Sequence, residues 1–151
     1  MMLTATCSKE DANIIINSLN IKPENLNIIR SSSFSHPEIK IEVCSKGDKE
    51  KIIGDIVKLI DEIQEGKIII YCATVKNCEE MLEQLNSRID TKYNIDTYHG
   101  ELDSLQKSQT IQKWKNGQIQ LMIATNAFGM GINTPDIRLV IHNTFPLSIG
   151  N

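Results

Sequence analysis

Apolar positions recur along this chain with two different periods, and the changes of period mark its elements. Over 8–19, Ile14, Ile15, Ile16 and Leu19 make a broad helical stripe behind Ser8-Lys9-Glu10-Asp11. That opening is a capping box, in which an acidic residue at the fourth position bonds back to the amide of the cap. Pro23 breaks the helix, and 26–30 reads as a short strand. Ser31-Ser32-Ser33 and Pro37 suit a linker or crossing segment. Beyond it Ile39, Ile41 and Val43 alternate with Lys40 and Glu42, a period of two that predicts a half-buried strand. Helical spacing returns over 48–65 with Ile52, Ile56, Leu59, Ile60 and Ile63, and Gly66 is placed for a C-cap. Lys49, Glu50, Asp61 and Glu62 form the solvated face of that helix.

The run Ile68-Ile69-Ile70-Tyr71-Cys72 has no polar alternation, as expected of a central parallel strand covered on both faces. Thr74 can cap a helix reaching about 88, 95–98 is a short strand, and Asp103 can cap a helix ending at Asn116-Gly117. Segments 119–124 and 138–142 complete the strands. Strands separated by helices imply right-handed βαβ crossovers, hence an α/β fold with a parallel sheet and helices on both faces. The chain has no internal repeat and no low-complexity tract.

A length of 151 residues suits one compact domain, and 40% hydrophobic with 23% charged residues suits a soluble globular chain. No apolar run approaches the roughly 18 residues of a membrane span, so no membrane partner is expected. The N-terminus lacks the basic region and apolar stretch of a secretory signal, which makes a reducing compartment the default expectation. Cys7, Cys44, Cys72 and Cys78 contain no C-x-x-C pair, so zinc is not expected and buried free thiols are preferred to a disulfide. A net charge of −3 argues against a protein that coats phosphates wholesale, yet leaves a local basic groove open.

Ligands of an open parallel sheet meet the loops at the carboxyl ends of its strands. Thr74 follows the first central strand and offers a hydroxyl and a helix start to an anion; its plain reading, an N-cap, is favoured on the sequence alone. His99-Gly100 follows the next strand, where the imidazole can donate to a phosphate or serve as an ordinary turn residue. Thr125-Asn126-Ala127-Phe128-Gly129-Met130-Gly131-Ile132-Asn133 follows a buried strand. Two glycines around a methionine permit a tight backbone whose amides can face phosphate oxygens, with Thr125 and Asn126 adding side-chain contacts. The dinucleotide fingerprint and the Walker A lysine motif are absent, so this loop is no triphosphate cradle of its own. Trp114 and Met122 read as core, His142 and His36 as structural or exposed. No Ser/His/Asp order and no acid pair suggests a hydrolase.

Taken in order, these segments resemble a family. Ile69-Ile70-Tyr71-Cys72-Ala73-Thr74 resembles motif IV of the RecQ-type superfamily 2 DNA helicases. Tyr98-His99-Gly100-Glu101-Leu102, Trp114 and the run Ile119-Gln120-Leu121-Met122-Ile123-Ala124-Thr125 resemble the approach to motif V. Motif V itself is matched by Ala127-Phe128-Gly129-Met130-Gly131-Ile132-Asn133, continuing through Pro135-Asp136-Ile137-Arg138 and Val140-Ile141-His142. Leu3-Thr4-Ala5-Thr6 resembles motif III, and Ser33-Phe34-Ser35-His36-Pro37 the link into the second lobe. His36 departs from the arginine usual there, Asn126 from a small apolar residue, while Asn133 stands where aspartate or asparagine occurs.

The resemblance implies two RecA-like (P-loop NTPase-type) lobes with ATP and Mg2+ between them, of which residues 1–30 would be the end of the first and 31–151 the second without motif VI. It implies an ATP-dependent 3′–5′ DNA helicase of repair, recombination and replication, and a nuclear location. Thr74, Thr125, Asn126, His99 and Gly100 would lie on the DNA backbone; Gly129, Gly131 and Asn133 would face the ATP cleft and couple it to DNA. No catalytic residue, cofactor grip or metal ligand of the enzyme is expected in this segment, so alone it should be inactive and should need the missing first lobe as partner. A non-catalytic nucleic-acid- or partner-binding remnant is the alternative, and a self-contained small-molecule α/β enzyme a third, disfavoured for want of convergent acid and base residues.

Overall fold

A computed structural model describes residues 7–29, 38–89, 93–129 and 134–144. The chain divides into two compact units, one within 1–44 and one within 45–149.

In the first unit, helix α1 (Lys9–Ser18) begins at the capping box: Ser8 accepts from the Asp11 amide, and the Asp11 carboxylate accepts from the Ser8 amide. The Ser8 hydroxyl also donates to that carboxylate at 2.6 Å, and this bond, with the one from the Ser8 amide, holds the Asp11 carboxyl below the usual carboxylate range. It ends with Asn20 in the left-handed region (φ 49°) and the Ile21 amide bonded to Ile16, as in a Schellman ending. The apolar stripe is real but uncovered, since no α1 side chain is buried and Ile14 is 62% exposed. A short 3-10 turn, Pro23–Asn25, follows.

Two strands expected here do not form. Residues 26–29 and 38–44 carry no strand pairing, and Ile29, Ile41 and Val43 are among the most exposed apolar residues of the chain. Alternation specifies which face could be buried, but a strand also needs a neighbour's amides and carbonyls in a ladder, and among the described residues no such ladder is formed with either segment.

The second unit holds helices α2 (Lys49–Asp61), α3 (Val75–Asn86) and α4 (Ser104–Lys115) with strands β1 (Lys67–Tyr71), β2 (Ile95–Tyr98), β3 (Leu121–Ala124) and β4 (Ile137–His142). All strand pairs are parallel, in the order β2-β3-β1-β4. Each helix starts where the sequence places a cap, with Asp48, Thr74 and Asp103 accepting from the amide three residues on. Helix α4 closes on a Schellman pattern around Gly117 (φ 73°), with Gln118 bonded to Lys113 and Gly117 to Trp114. Helix α2 stops earlier than its apolar spacing suggests: its C-cap is Glu62, and Gly66 (φ 103°) instead turns the chain into β1. A Cβ on Gly66 would lie 2.7 Å from the Asp136 carbonyl oxygen, so only glycine fits that turn.

Strand alternation divides the core. Ile68 and Ile70 of β1 with Leu121 and Ile123 of β3 meet Ile53, Ile56 and Ile60 of α2 and Cys78, Met81 and Leu85 of α3. On the opposite face Ile69, Met122 and Ala124 meet Trp114 of α4, Tyr98 and Phe128. Helices therefore cover both faces, as the uninterrupted apolar run of β1 requires. At the start of β4 the register slips, so that Lys67 opposes Ile137 but Ile68 opposes Leu139. The extra residue moves Ile137 to the α4 face and leaves Leu139 and Ile141 on the α2–α3 face.

Trp114 anchors the α4 face. It is fully buried, lies edge-on to Phe128 at 5.6 Å, and donates from its indole to Thr134 at 3.2 Å. The Lys67 ammonium sits 5.4 Å from its ring centroid and pairs with Asp136 at 3.2 Å. Trp114→Ala is expected to destabilise the second unit by about 3–5 kcal/mol, read as a lower urea midpoint.

Candidate nucleic-acid interface

The four strands end in register: Tyr98 opposes Ala124, Ala124 opposes Tyr71, and Tyr71 opposes His142. The residues after them consequently form a row along one sheet edge, in the order His99, Thr125, Cys72 with Thr74, and Asn143. Backbone bonds close it, from Thr125 to Tyr98 (3.1 Å), Cys72 to Ala124 (2.8 Å) and Asn143 to Tyr71 (3.0 Å). With strands roughly 4.8 Å apart, the row is about 14 Å long.

Thr74 is exposed and caps α3. Its hydroxyl oxygen accepts from the Asn77 amide (3.1 Å) while its proton goes to the Asn77 side-chain oxygen (2.9 Å). The capping role is thus present, and the second bond is one a phosphate oxygen could take over. Thr125 is half-buried and Asn126 exposed beside it. His99 is half-buried, and among the described residues its Nδ1 is buried without a hydrogen-bond partner. Gly100 is exposed, and no neighbouring atom lies within 4 Å of where a Cβ would stand. The structure therefore brings Thr74, His99, Gly100, Thr125 and Asn126 to one edge. Gly131 and Asn133 lie outside the described residues.

Gly129 is placed, and its backbone (φ 143°) is one that side chains rarely adopt. The Tyr71 hydroxyl would be 3.1 Å from a Cβ there, and it donates to the Phe128 carbonyl at 2.9 Å. The Tyr71 ring stacks on His142 at 5.1 Å.

Two lysines flank the row. Lys46 reaches the Asn143 carbonyl at 3.3 Å, and Lys107 of α4 reaches the Gly100 carbonyl at 2.7 Å. Neither stands out in the sequence. Lys107 is one of several polar residues on α4, and Lys46 lies in an unpatterned stretch; only the fold shows that both reach the same edge.

Cys72 and Cys78 are buried. A hydrogen bond between them, with a smaller one from Asn143, holds the Cys72 thiol below its ordinary value; the same bond and burial push Cys78 up. Cys7 is half-buried and Cys44 exposed, so burial holds for two of the four free thiols. Among the described residues, no group of three or more His, Cys, Asp or Glu side chains is spaced to hold a metal. Nor does any described helix have the length and apolarity to cross a membrane.

With this geometry in place, comparison with known proteins is decisive. Residues 48–151 match the helicase conserved C-terminal domain family. The chain belongs to that family. It is 33% identical over 146 residues to the probable ATP-dependent DNA helicase RecS of Bacillus subtilis, covering 97% of the chain and 28% of that protein. It is 36% identical over 127 residues to the putative ATP-dependent DNA helicase Q1 of Caenorhabditis briggsae, covering 82% of the chain and 20% of that protein. The chain thus spans little more than a quarter, at most, of these two RecQ-type relatives. Among solved structures, Saccharomyces cerevisiae Dbp5 bound to RNA and ADP BeF3 has a similar fold, with a TM-score of 0.76 and 20% identity over 95% of this chain and 35% of that one. The RecA-like parallel sheet expected from the motifs is the observed fold.

The described residues do not by themselves fit a nucleotide triphosphate. The sequence has no Walker A lysine loop, and the helices that follow β1 and β2 are already capped by Thr74 and Asp103.

Two outcomes follow for the Gly129 turn. Gly129→Ala is expected to cost about 1–3 kcal/mol of stability, measured by urea unfolding, because a side chain there is strained and meets Tyr71. Burial raises the Tyr71 hydroxyl above its ordinary value of about 10. The unfolded chain then ionises first, so the contribution is complete below about pH 10 and is lost as pH rises toward the folded value. Tyr71→Phe should flatten the alkaline loss of stability, measured as urea midpoints between about pH 8 and 11.

Proposed function

We propose that this chain supplies the nucleic-acid grip of the second lobe of a RecQ-type, ATP-dependent 3′–5′ DNA helicase. The observation that carries the reading is the row of Thr74, His99, Gly100, Thr125 and Asn126 at one sheet edge, bracketed by Lys46 and Lys107, in a chain whose relatives are named DNA helicases.

Hydroxyls, a half-buried imidazole and flanking ammonium groups suit phosphate oxygens. Asn126 alone carries the paired donor and acceptor that could read a base edge; the other groups contact phosphate, so binding is mainly electrostatic and only weakly dependent on sequence. Thr125 gives its hydroxyl to a backbone phosphate, Thr74 exchanges its bond to Asn77 for another, and His99 supplies a further donor. The motif V resemblance assigns Gly129, Gly131 and Asn133 to the nucleotide cleft, as the residues that couple it to the strand.

ATP and Mg2+ are held chiefly outside this chain, by a first lobe and by arginines beyond motif V. Phosphoryl transfer depends on positioning and charge stabilisation, and neither survives when those parts are separated. Residues 1–30 form the end of the first lobe. The exposed stripe of α1 is the face that the rest of that lobe covers, and the work of such an enzyme in repair and recombination places it in the nucleus.

Three measurements test this reading. A polypeptide that also carries the first lobe and motif VI should hydrolyse ATP in response to single-stranded DNA, whereas the 151-residue chain alone should not; stimulated hydrolysis by the chain in a clean preparation contradicts the division of labour. Thr125→Ala should raise the half-saturating oligo(dT) concentration several-fold. In salt titrations, Lys46→Ala and Lys107→Ala should each make the slope of log affinity against log salt shallower by about 0.7 if each neutralises one phosphate of a single strand. Unchanged slopes would remove the lysines from the interface.

A further inference from the structure

In the sheet β1 lies between β3 and β4, and the described residues that join these two strands, 125–129 and 134–136, contain no helix. A parallel crossover is usually braced by the internal hydrogen bonds of a helix. Here the described bracing comes from side chains beneath it. At its start the Phe128 ring is buried against Tyr98, 5.0 Å away, and Trp114, while the Phe128 carbonyl accepts from the Tyr71 hydroxyl. At its end Thr134 accepts from the Trp114 indole, and Asp136 pairs with Lys67.

The two tethers are not equivalent. Tyr71 closes β1 three residues before Thr74, and the carbonyl it holds lies three residues after Thr125, which itself accepts from the Phe128 amide at 3.0 Å. One hydroxyl thus joins the end of β1, three residues before Thr74, to the turn after β3 that carries Thr125 and Asn126. Gly129 belongs to the same arrangement, because its missing Cβ lets the backbone pass over that hydroxyl. Phenylalanine would fill the same space and keep the stacking on His142. A half-buried hydroxyl is unfavourable unless bonded, so its value here lies in the bond to Phe128.

We propose that Tyr71 is a positioning residue for the nucleic-acid grip: its hydroxyl fixes the turn 125–129 so that Thr125 and Asn126 meet a phosphate in a preset geometry. The proposal rests on the nucleic-acid reading of that edge.

The test compares wild type, Tyr71→Phe and Thr134→Val in the full-length polypeptide that carries these residues. Thr134→Val removes the tether at the far end of the same crossover and reports general loosening. ATP hydrolysis is followed against oligo(dT) concentration, and oligo(dT) binding is measured directly by fluorescence anisotropy. Tyr71→Phe is expected to raise both the half-saturating concentration and the dissociation constant about fivefold, with a smaller change in the DNA-saturated rate, the loss expected for one modest hydrogen bond. Thr134→Val should leave both within about twofold. If Tyr71→Phe matches wild type, or if Thr134→Val moves binding as far, the positioning role is overturned even where stability falls. If wild type binds oligo(dT) without stimulated hydrolysis, the helicase reading fails, and the anisotropy comparison still decides the role of Tyr71. If wild type does not bind oligo(dT), both fail.

Discussion

The organisation of the second unit depends on β1 being buried on both faces and paired along both edges. A strand in that position must place every amide and carbonyl in a ladder, and its partners β3 and β4 are locked to it residue by residue. Because all pairs are parallel and in register at their carboxyl ends, the loops that follow must emerge side by side. The row from His99 to Asn143 is thus a consequence of sheet pairing, before any feature of the loops themselves is considered. Substituting a loop residue changes the chemistry of that row; disturbing β1 would remove the row itself.

Most of this framework is readable from the chain because it rests on local rules. Ser8, Thr74 and Asp103 cap the helices they announce, Asp48 caps α2 at the start of its helical spacing, and Gly117 ends α4 through a left-handed turn. The Ile68-Ile69-Ile70 run marks the central strand because nothing polar interrupts it. Where reading by pattern fails, the deciding quantity is non-local. Ile39, Ile41 and Val43 have the period of a strand and no ladder partner, and Gly66 resembles a helix stop but serves a turn set by Asp136, far away in sequence. The slip in β4 cannot be seen from 137–142 alone, since it exists only relative to Lys67 and Ile68.

The candidate interface divides in the same way. His99 and Thr125 are visible in the sequence because each directly follows a strand, and Thr74 because it caps the helix just after one; position after a strand is what brings a residue to the edge. Lys46 and Lys107 are invisible because their contribution depends on where a long side chain ends, at carbonyls that belong to Asn143 and Gly100. A net charge of −3 gives no hint of them. Attraction for a phosphate falls steeply with distance in water and salt, so two lysines at the ends of a row about 14 Å long matter more locally than acidic groups dispersed over the remaining surface.

The described residues between β3 and β4 show how a turn on that edge is held in place without a helix of its own. A helix in that position would brace itself, and movement at one end would be absorbed by its own hydrogen bonds. Without one, the described residues are held where Phe128 meets Tyr71 and where Thr134 and Asp136 meet Trp114 and Lys67. Force applied to Thr125 is therefore opposed first by the Phe128 anchor, and the left-handed backbone of Gly129 begins immediately beyond it. A turn tied to β1 by one hydroxyl and to the α4 face by one buried ring can present Thr125 and Asn126 in a single geometry without a helix to hold it.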